Sequence, residues 1–258
     1  MQAVYRVEGQ RVDTGPDAAG PWNPAMQHGA APAALLAWLA ERCETTVPMR
    51  LAGLTLDLLR PVPIAALEIR SEIVRQGRQI LLVAMSLSAR NVEVVRASAL
   101  KVLVADPLLP ENLHESRLDV PGPDCCRELN ADERIKSPFL AGVSARIAVE
   151  CQRRSGPAAI WFRANRPIVE GELIGPAMRA AIAADFCNGV SSVLDPKEWS
   201  FINGDVTLNL ARLPVGEWIL VNAETSLGRD GVGVASARLA DATGYFGRSA
   251  QSLIVERR

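Results

Sequence analysis

An α+β fold built from two copies of one unit, each a single helix packed on an antiparallel sheet, is predicted by three features of this 258-residue chain: an internal repeat, strand-length apolar runs joined by short turns, and one alanine-rich helical stretch ahead of each set of strands. At a shift of 152 residues Leu54-Thr55-Leu56-Asp57-Leu58-Leu59-Arg60 falls on Val206-Thr207-Leu208-Asn209-Leu210-Ala211-Arg212, and without a gap the same shift matches Glu72 with Glu224, Leu87 with Leu239 and Arg96 with Arg248. The apolar pattern follows: Ile69 falls on Val221, Ile80 on Val232, Leu82 on Val234, Val102 on Ile254 and Leu103 on Val255.

Each half reads in the same order. A strand region comes first (residues 3–12; residues 145–151 with 158–163), then a helix (residues 31–43; residues 176–187). Four strands follow, at residues 51–60, 66–75, 79–89 and 92–104 in the first half and at 205–212, 217–226, 232–240 and 245–256 in the second. Turns as short as Arg75-Gln76-Gly77-Arg78 and Asp241-Ala242-Thr243-Gly244 force antiparallel pairing, because a parallel return needs a crossover of about a dozen residues. Both helices are apolar around most of their circumference, so each is expected to be wrapped by its sheet. The stretch 106–142, rich in charge and proline (Pro107, Pro110, Pro121, Pro123, Pro138), reads as the connector between an N-terminal half, 1–105, and a C-terminal half, 143–258.

Composition narrows the function. Twenty-eight Lys and Arg against 29 Asp and Glu, without long runs, leave no electrostatic footprint for nucleic acid. The longest apolar stretch, residues 29–40, is broken by Pro32 and is short of the roughly 20 residues a membrane span needs. Residues 1–12 lack the pattern of a secretory signal, so a cytoplasmic location is expected. Five cysteines (Cys43, Cys125, Cys126, Cys151, Cys187) are an odd number without CxxC spacing and read as reduced thiols. Neither His28 nor His114 has a second ligand at metal spacing, so no metal and no cofactor is expected. The chain has no Gly-x-Ser-x-Gly elbow and no Rossmann or Walker glycine pattern, and both histidines lack the local acidic partner that an Asp-His hydratase pair would need.

Two C-terminal segments, Asp205-Val-Thr-Leu-Asn-Leu-Ala-Arg-Leu-Pro-Val-Gly-Glu-Trp218 and Gly247-Arg-Ser-Ala-Gln251-Ser-Leu-Ile-Val255, resemble the second domain of TesB-like acyl-CoA thioesterases, and Trp22-Asn23-Pro24 with His28-Gly29 resembles their N-terminal half. The resemblance implies a double hot-dog fold and hydrolysis of acyl-CoA thioesters to acid and CoA by an activated water. Acyl-CoA is then the expected partner, and a homodimer or higher homo-oligomer is compatible with the fold. In that family an Asp on the second helix, a Thr on the following strand and a Gln on the last strand do the work. Carried over by position, these are Asp185, Asn203 and Gln251, and Asn203 departs from the family's Thr.

The repeat singles out the same positions independently. Gln251 faces Ala99 and Asn203 faces Leu51 at the same shift, and any helix alignment between 146 and 152 puts Asp185 opposite an apolar residue between Ala33 and Leu39. Three polar groups thus stand where the first half has hydrocarbon. Burying each costs about 1–3 kcal/mol unless it is hydrogen-bonded, and one shared site would explain all three. His28 and Gly29 open the first helix, where unpaired amides and the helix dipole favour negative charge; His28 is a candidate substrate contact and the Gly29 amide a candidate oxyanion donor.

Plainer roles stand beside each assignment. Asp185 could be a helix-terminal residue satisfied by backbone, Gln251 could lie on a solvent face, Asn203 could form an Asx-turn with Gly204, and Gly29 could simply permit close packing. Arg60 and Arg212 recur in both halves, which argues for structure, and Trp161, Trp199 and Trp218 read as core or interface anchors. The rival to an enzyme is a hot-dog protein that binds acyl thioesters or another apolar ligand without turnover.

Overall fold

The computed structural model describes residues 1–105, 117–130, 135–150 and 156–258. In the N-terminal part, strands β1 (Tyr5–Glu8) and β2 (Arg11–Thr14) precede helix α1 (Ala30–Arg42) and strands β3 (Met49–Leu58), β4 (Leu67–Gln76), β5 (Ile80–Ala89) and β6 (Val92–Leu103). Strands β7 (Arg127–Glu128), β8 (Val143–Val149) and β9 (Ala158–Ala164) follow, then helices α2 (Pro176–Asp185) and α3 (Cys187–Val190) and strands β10 (Trp199–Asn203), β11 (Asp205–Leu210), β12 (Ile219–Leu227), β13 (Val232–Asp241) and β14 (Gly244–Arg257). His114 and Cys151 lie outside the described residues, as does part of the expected connector.

Among the described residues all strands join one sheet, in the order β1-β2-β4-β5-β6-β3-β11-β14-β13-β12-β9-β8-β7, with β10 on β14. The centre of that order is a palindrome, and the predicted repeat explains it. β13 is β5 shifted by 152 residues at both ends, and where β3 meets β11 the equivalents Thr55 and Thr207 stand directly opposite one another. The two halves are therefore related by a local two-fold axis through that pair.

Alternating burial along β5, β13 and β14 puts one face of the sheet on the helices. Helix α1 packs on α2, β3 and β6, and α2 on β9, β11, β12, β13 and β14. Alanine at Ala30, Ala33, Ala34 and Ala37 of α1 and at Ala177, Ala180, Ala181 and Ala184 of α2, all buried, lets the two helices approach closely. They run antiparallel: Gly29, before α1, abuts Asp185 at the end of α2, and Gly175, before α2, abuts Glu41 near the end of α1.

Four features differ from the sequence reading. The single N-terminal strand is a hairpin turned at Gly9, whose φ of 61° suits glycine. The second helix stops at Asp185 and resumes as α3, because Ser249 donates to the Ala184 carbonyl (3.0 Å) and Gln251 to the Asp185 carbonyl (3.1 Å), which satisfies the last turn from outside. Residues 199–203 form β10, paired with β14, so Asn203 ends a strand. The connector is more than a tether: Leu118, Val120 and Cys126 pack on the buried cluster of Ala159, Trp161, Leu220 and Ala240, the Trp161 indole donates to the Pro121 carbonyl at 2.9 Å, and β7 extends the sheet.

Both recurring arginines bond to their own half. Arg60 donates to the Glu93 carbonyl at 3.1 Å. Arg212 grips the fully buried Asp241 with two nitrogens, at 2.5 and 2.9 Å, while Val215 N and Thr243 N also donate to that carboxylate. Burial alone would raise the Asp241 pKa, but the bonds from Arg212, Thr243 and Val215 outweigh it and hold the carboxyl far below its usual range. At the sheet's far edge, Val4 N and Tyr5 N donate to the carbonyls of Pro167 and Ile168, and Glu170 N donates back to Tyr5, so β1 is tied to the C-terminal half.

Replacing Arg212→Leu strands a buried charge and is expected to cost about 3–5 kcal/mol in urea unfolding at pH 7. A depressed carboxyl stabilises above its unfolded pKa of about 3.9 and loses that contribution as pH falls toward the folded value, so the gap between wild type and variant narrows below pH of about 4.

Candidate active site

The antiparallel helix pair brings the start of α1 and the end of α2 together, and four of the five predicted side chains or backbones meet there. Asp185 is buried at 4% exposure. Its Oδ1 accepts from Asn203 Nδ2 at 3.1 Å, and its Oδ2 lies 3.0 Å from His28 Nδ1. Gly29 is required by space: a Cβ there would sit 2.5 Å from Asp185 Oδ1.

Gln251 reaches the same region by a different route. It is 1% exposed, which removes the solvent-face alternative. Its Nε2 donates to the backbone carbonyl of Asp185, and its Oε1 accepts from Asn188 N at 3.1 Å. The amide therefore brackets the joint between α2 and α3, and the described hydrogen bonds do not join it to the Asp185 carboxylate.

The His28 contact adds to the sequence reading, which found no local acidic partner for the histidine. The partner is 157 positions away in sequence (185 minus 28), so no local pattern shows it. Nδ1 also lies 3.2 Å from Ala30 N. A ring nitrogen cannot accept from an amide and donate to a carboxylate at once, so a proton on Nδ1 commits it to Asp185. The ring is held flat on Phe139 (centroids 5.1 Å apart, 26° between planes) and edge-on to Phe186 (5.5 Å, 89°). Phe139 and Phe186 were missed as site residues; both are apolar walls, with no chemical signature in sequence.

At the start of α1, Ala31 N is spent on the His28 carbonyl and Ala33 N on that of Gly29. Among the described residues Gly29 N donates to no protein group, and it stands at the start of α1, where the helix dipole favours negative charge. Asn203 gives its second amide hydrogen to the Asp205 carbonyl at 3.3 Å, which leaves Oδ1 as an acceptor.

Cys187, two residues after Asp185, is a poor nucleophile. Burial pushes its thiol up to about 12, and the nearby Asp185 and Glu224 charges add to this against a bond from Ser249.

The described helices include none long and apolar enough to cross a membrane. Residues 18–102 match the acyl-CoA thioesterase N-terminal domain and residues 123–255 the acyl-CoA thioesterase C-terminal domain. The chain belongs to the acyl-CoA thioesterase family, and it is an enzyme that hydrolyses acyl-CoA. No curated protein sequence matches it significantly. Among solved structures it is similar to a hot-dog-fold protein from Alicyclobacillus acidocaldarius (13% identity, covering 98% of this chain and 95% of that one, TM-score 0.76). It is also similar to a TesB protein from Mycobacterium avium subspecies paratuberculosis (12%, 98% and 95%, 0.71) and to the acyl-CoA thioesterase II TesB2 from Mycobacterium marinum (12%, 89% and 91%, 0.67). At these identities the likeness carries the hot-dog fold.

Two outcomes are expected. Gly29→Ala pushes the Asp185 carboxylate out of place and lowers kcat/KM for acyl-CoA at least tenfold while circular dichroism stays native. Cys187 resists iodoacetamide at pH 8 in the native protein, and the exposed Cys125 is alkylated, as read by peptide mass spectrometry.

Proposed function

We propose that the two halves, 1–105 and 143–258, form a double hot-dog in which one catalytic site, at Asp185, hydrolyses cytoplasmic acyl-CoA thioesters in lipid metabolism. The observation that carries this is the buried Asp185 carboxylate held between Asn203 and His28 against the start of α1.

In this reading Asp185 takes a proton from a water as the water attacks the thioester carbonyl. The oxyanion forms beside the amide of Gly29, where the helix dipole favours negative charge. Collapse breaks the C–S bond, and the proton held by Asp185 passes to the CoA thiolate, giving acid and free thiol. Asn203 fixes one carboxylate oxygen through its NH2 group and offers Oδ1 to the water, which lets an amide do what a hydroxyl does in relatives. His28 fixes the other oxygen. Gln251 is a positioning residue: by clamping the Asp185 carbonyl and Asn188 N it sets where the end of α2 stands.

The test is CoA-thiol release over a panel of acyl-CoAs. Asp185→Asn is expected to lower kcat by about a thousandfold or more, at the upper end of what a general base contributes, with acyl-CoA binding within a few fold of wild type. Equal turnover in the variant overturns the assignment, and binding without release in either protein supports a non-catalytic acyl-thioester carrier.

A further inference from the structure

His28 is the more open member of the pair it forms with Asp185: the imidazole is 14% exposed and the carboxylate 3%. Two buried rings fix how the imidazole stands, Phe139 against its face and Phe186 edge-on. Nδ1 is turned to Asp185 Oδ2, 3.0 Å away, so Nε2, across the ring, is turned from it. Nε2 bonds no group among the described residues. The described side-chain nitrogens that are buried without a partner belong to Trp38, Arg146, Arg166 and Arg179, and Nε2 is not one of them. It therefore reaches solvent, beside a carboxylate that hardly does.

The neighbour of the ring settles where its proton sits. An ionised Asp185 can only accept, so the nitrogen facing it carries the hydrogen, and in the neutral imidazole the other nitrogen is left as a bare acceptor. What His28 offers an incoming substrate is thus one lone pair beside two apolar rings. A lone pair pairs with an N–H or O–H and repels a carbonyl or an ether oxygen. The thioester group itself has no donor. On leaving the sulfur, the first donor in any CoA thioester is the amide N–H of the cysteamine unit, two methylenes away.

We infer that His28 Nε2 accepts a hydrogen bond from this cysteamine amide, so that one imidazole holds the carboxylate with one nitrogen and the substrate with the other. Two methylenes leave little play between a fixed amide and the thioester, and the bond therefore sets the scissile carbonyl against Asp185. His28 is then a specificity-determining residue for pantetheine thioesters, whatever their acyl group. The inference rests on the site assignment at Asp185.

The experiment compares two small thioesters that differ in one group: the N-acetylcysteamine thioester of an acyl group hydrolysed as its CoA thioester, and the counterpart with an ester oxygen in place of the amide NH. Thiol release by the wild type is expected to favour the amide by roughly tenfold or more in kcat/KM, because the ester loses a hydrogen bond and sets an oxygen against the bare nitrogen. His28→Asn can still donate to Asp185 and has nothing in the place of Nε2, so its preference is expected to fall to within about twofold. His28→Gln, which reaches the place of Nε2, is expected to keep the preference at a lower kcat. Calorimetry with ethyl-CoA thioether and its ester-for-amide analogue, neither of which can be hydrolysed, reads the same contact without turnover. An amide preference in binding that disappears in His28→Asn, with no hydrolysis by either protein, upholds the contact and rejects the hydrolase assignment. Hydrolysis of both thioesters at equal kcat/KM by the wild type needs no variant to overturn the contact, and a preference that His28→Asn retains overturns it as well; both leave the hydrolase assignment standing.

Discussion

The ladder between β3 and β11 is the constraint from which the molecule follows. Two equivalent strands pair antiparallel about Thr55 and Thr207, and that pairing imposes a two-fold relation on everything attached to them. The helices must then lie side by side and head to tail. Each helix start meets the other's end, which creates two junctions, Gly29 with Asp185 and Gly175 with Glu41.

The two junctions share a plan and differ in chemistry. Both place a carboxylate against a glycine before a helix, and at both the strand that follows by hairpin supplies a cap for the helix end. Lys101 on β6 donates to the Glu41 and Cys43 carbonyls at 3.2 and 2.9 Å, as Ser249 and Gln251 on β14 do for α2. Burial raises the Glu41 pKa, and Lys101 and Arg179 oppose it. The neighbouring positions differ: Leu51 and Ala99 are hydrocarbon where the second junction has Asn203, whose amide holds the Asp185 carboxylate, and Gln251, whose amide holds the backbone at the end of α2.

Most strands and both main helices were legible because period-two alternation and the repeat reinforce each other; β5 begins and ends within a residue of its expected bounds. The break after Asp185 was not, since it is imposed by Ser249 and Gln251, more than sixty positions away. Asn203 and Gln251 could be picked out by their lost symmetry, whereas Asp185 proves to have a counterpart at the first junction, the carboxylate of Glu41, and what each one touches could not be read. The Gln251 amide turned out to hold backbone, and His28 found its acid across the molecule, because both contacts depend on how two helices pack and neither leaves a local pattern. The walls Phe139 and Phe186 are ordinary apolar residues until the fold places them against the imidazole.

The bond of Tyr5 to residues 167–170 reaches across the duplication. The first half therefore leaves the ribosome with the outer side of β1 bare, a backbone ladder able to recruit a stray strand from another chain. That flank is shielded only once the polypeptide has grown past residue 170, so the last seam of the N-terminal half is sewn by the C-terminal one, and synthesis itself sets the interval during which the nascent chain is open to mispairing.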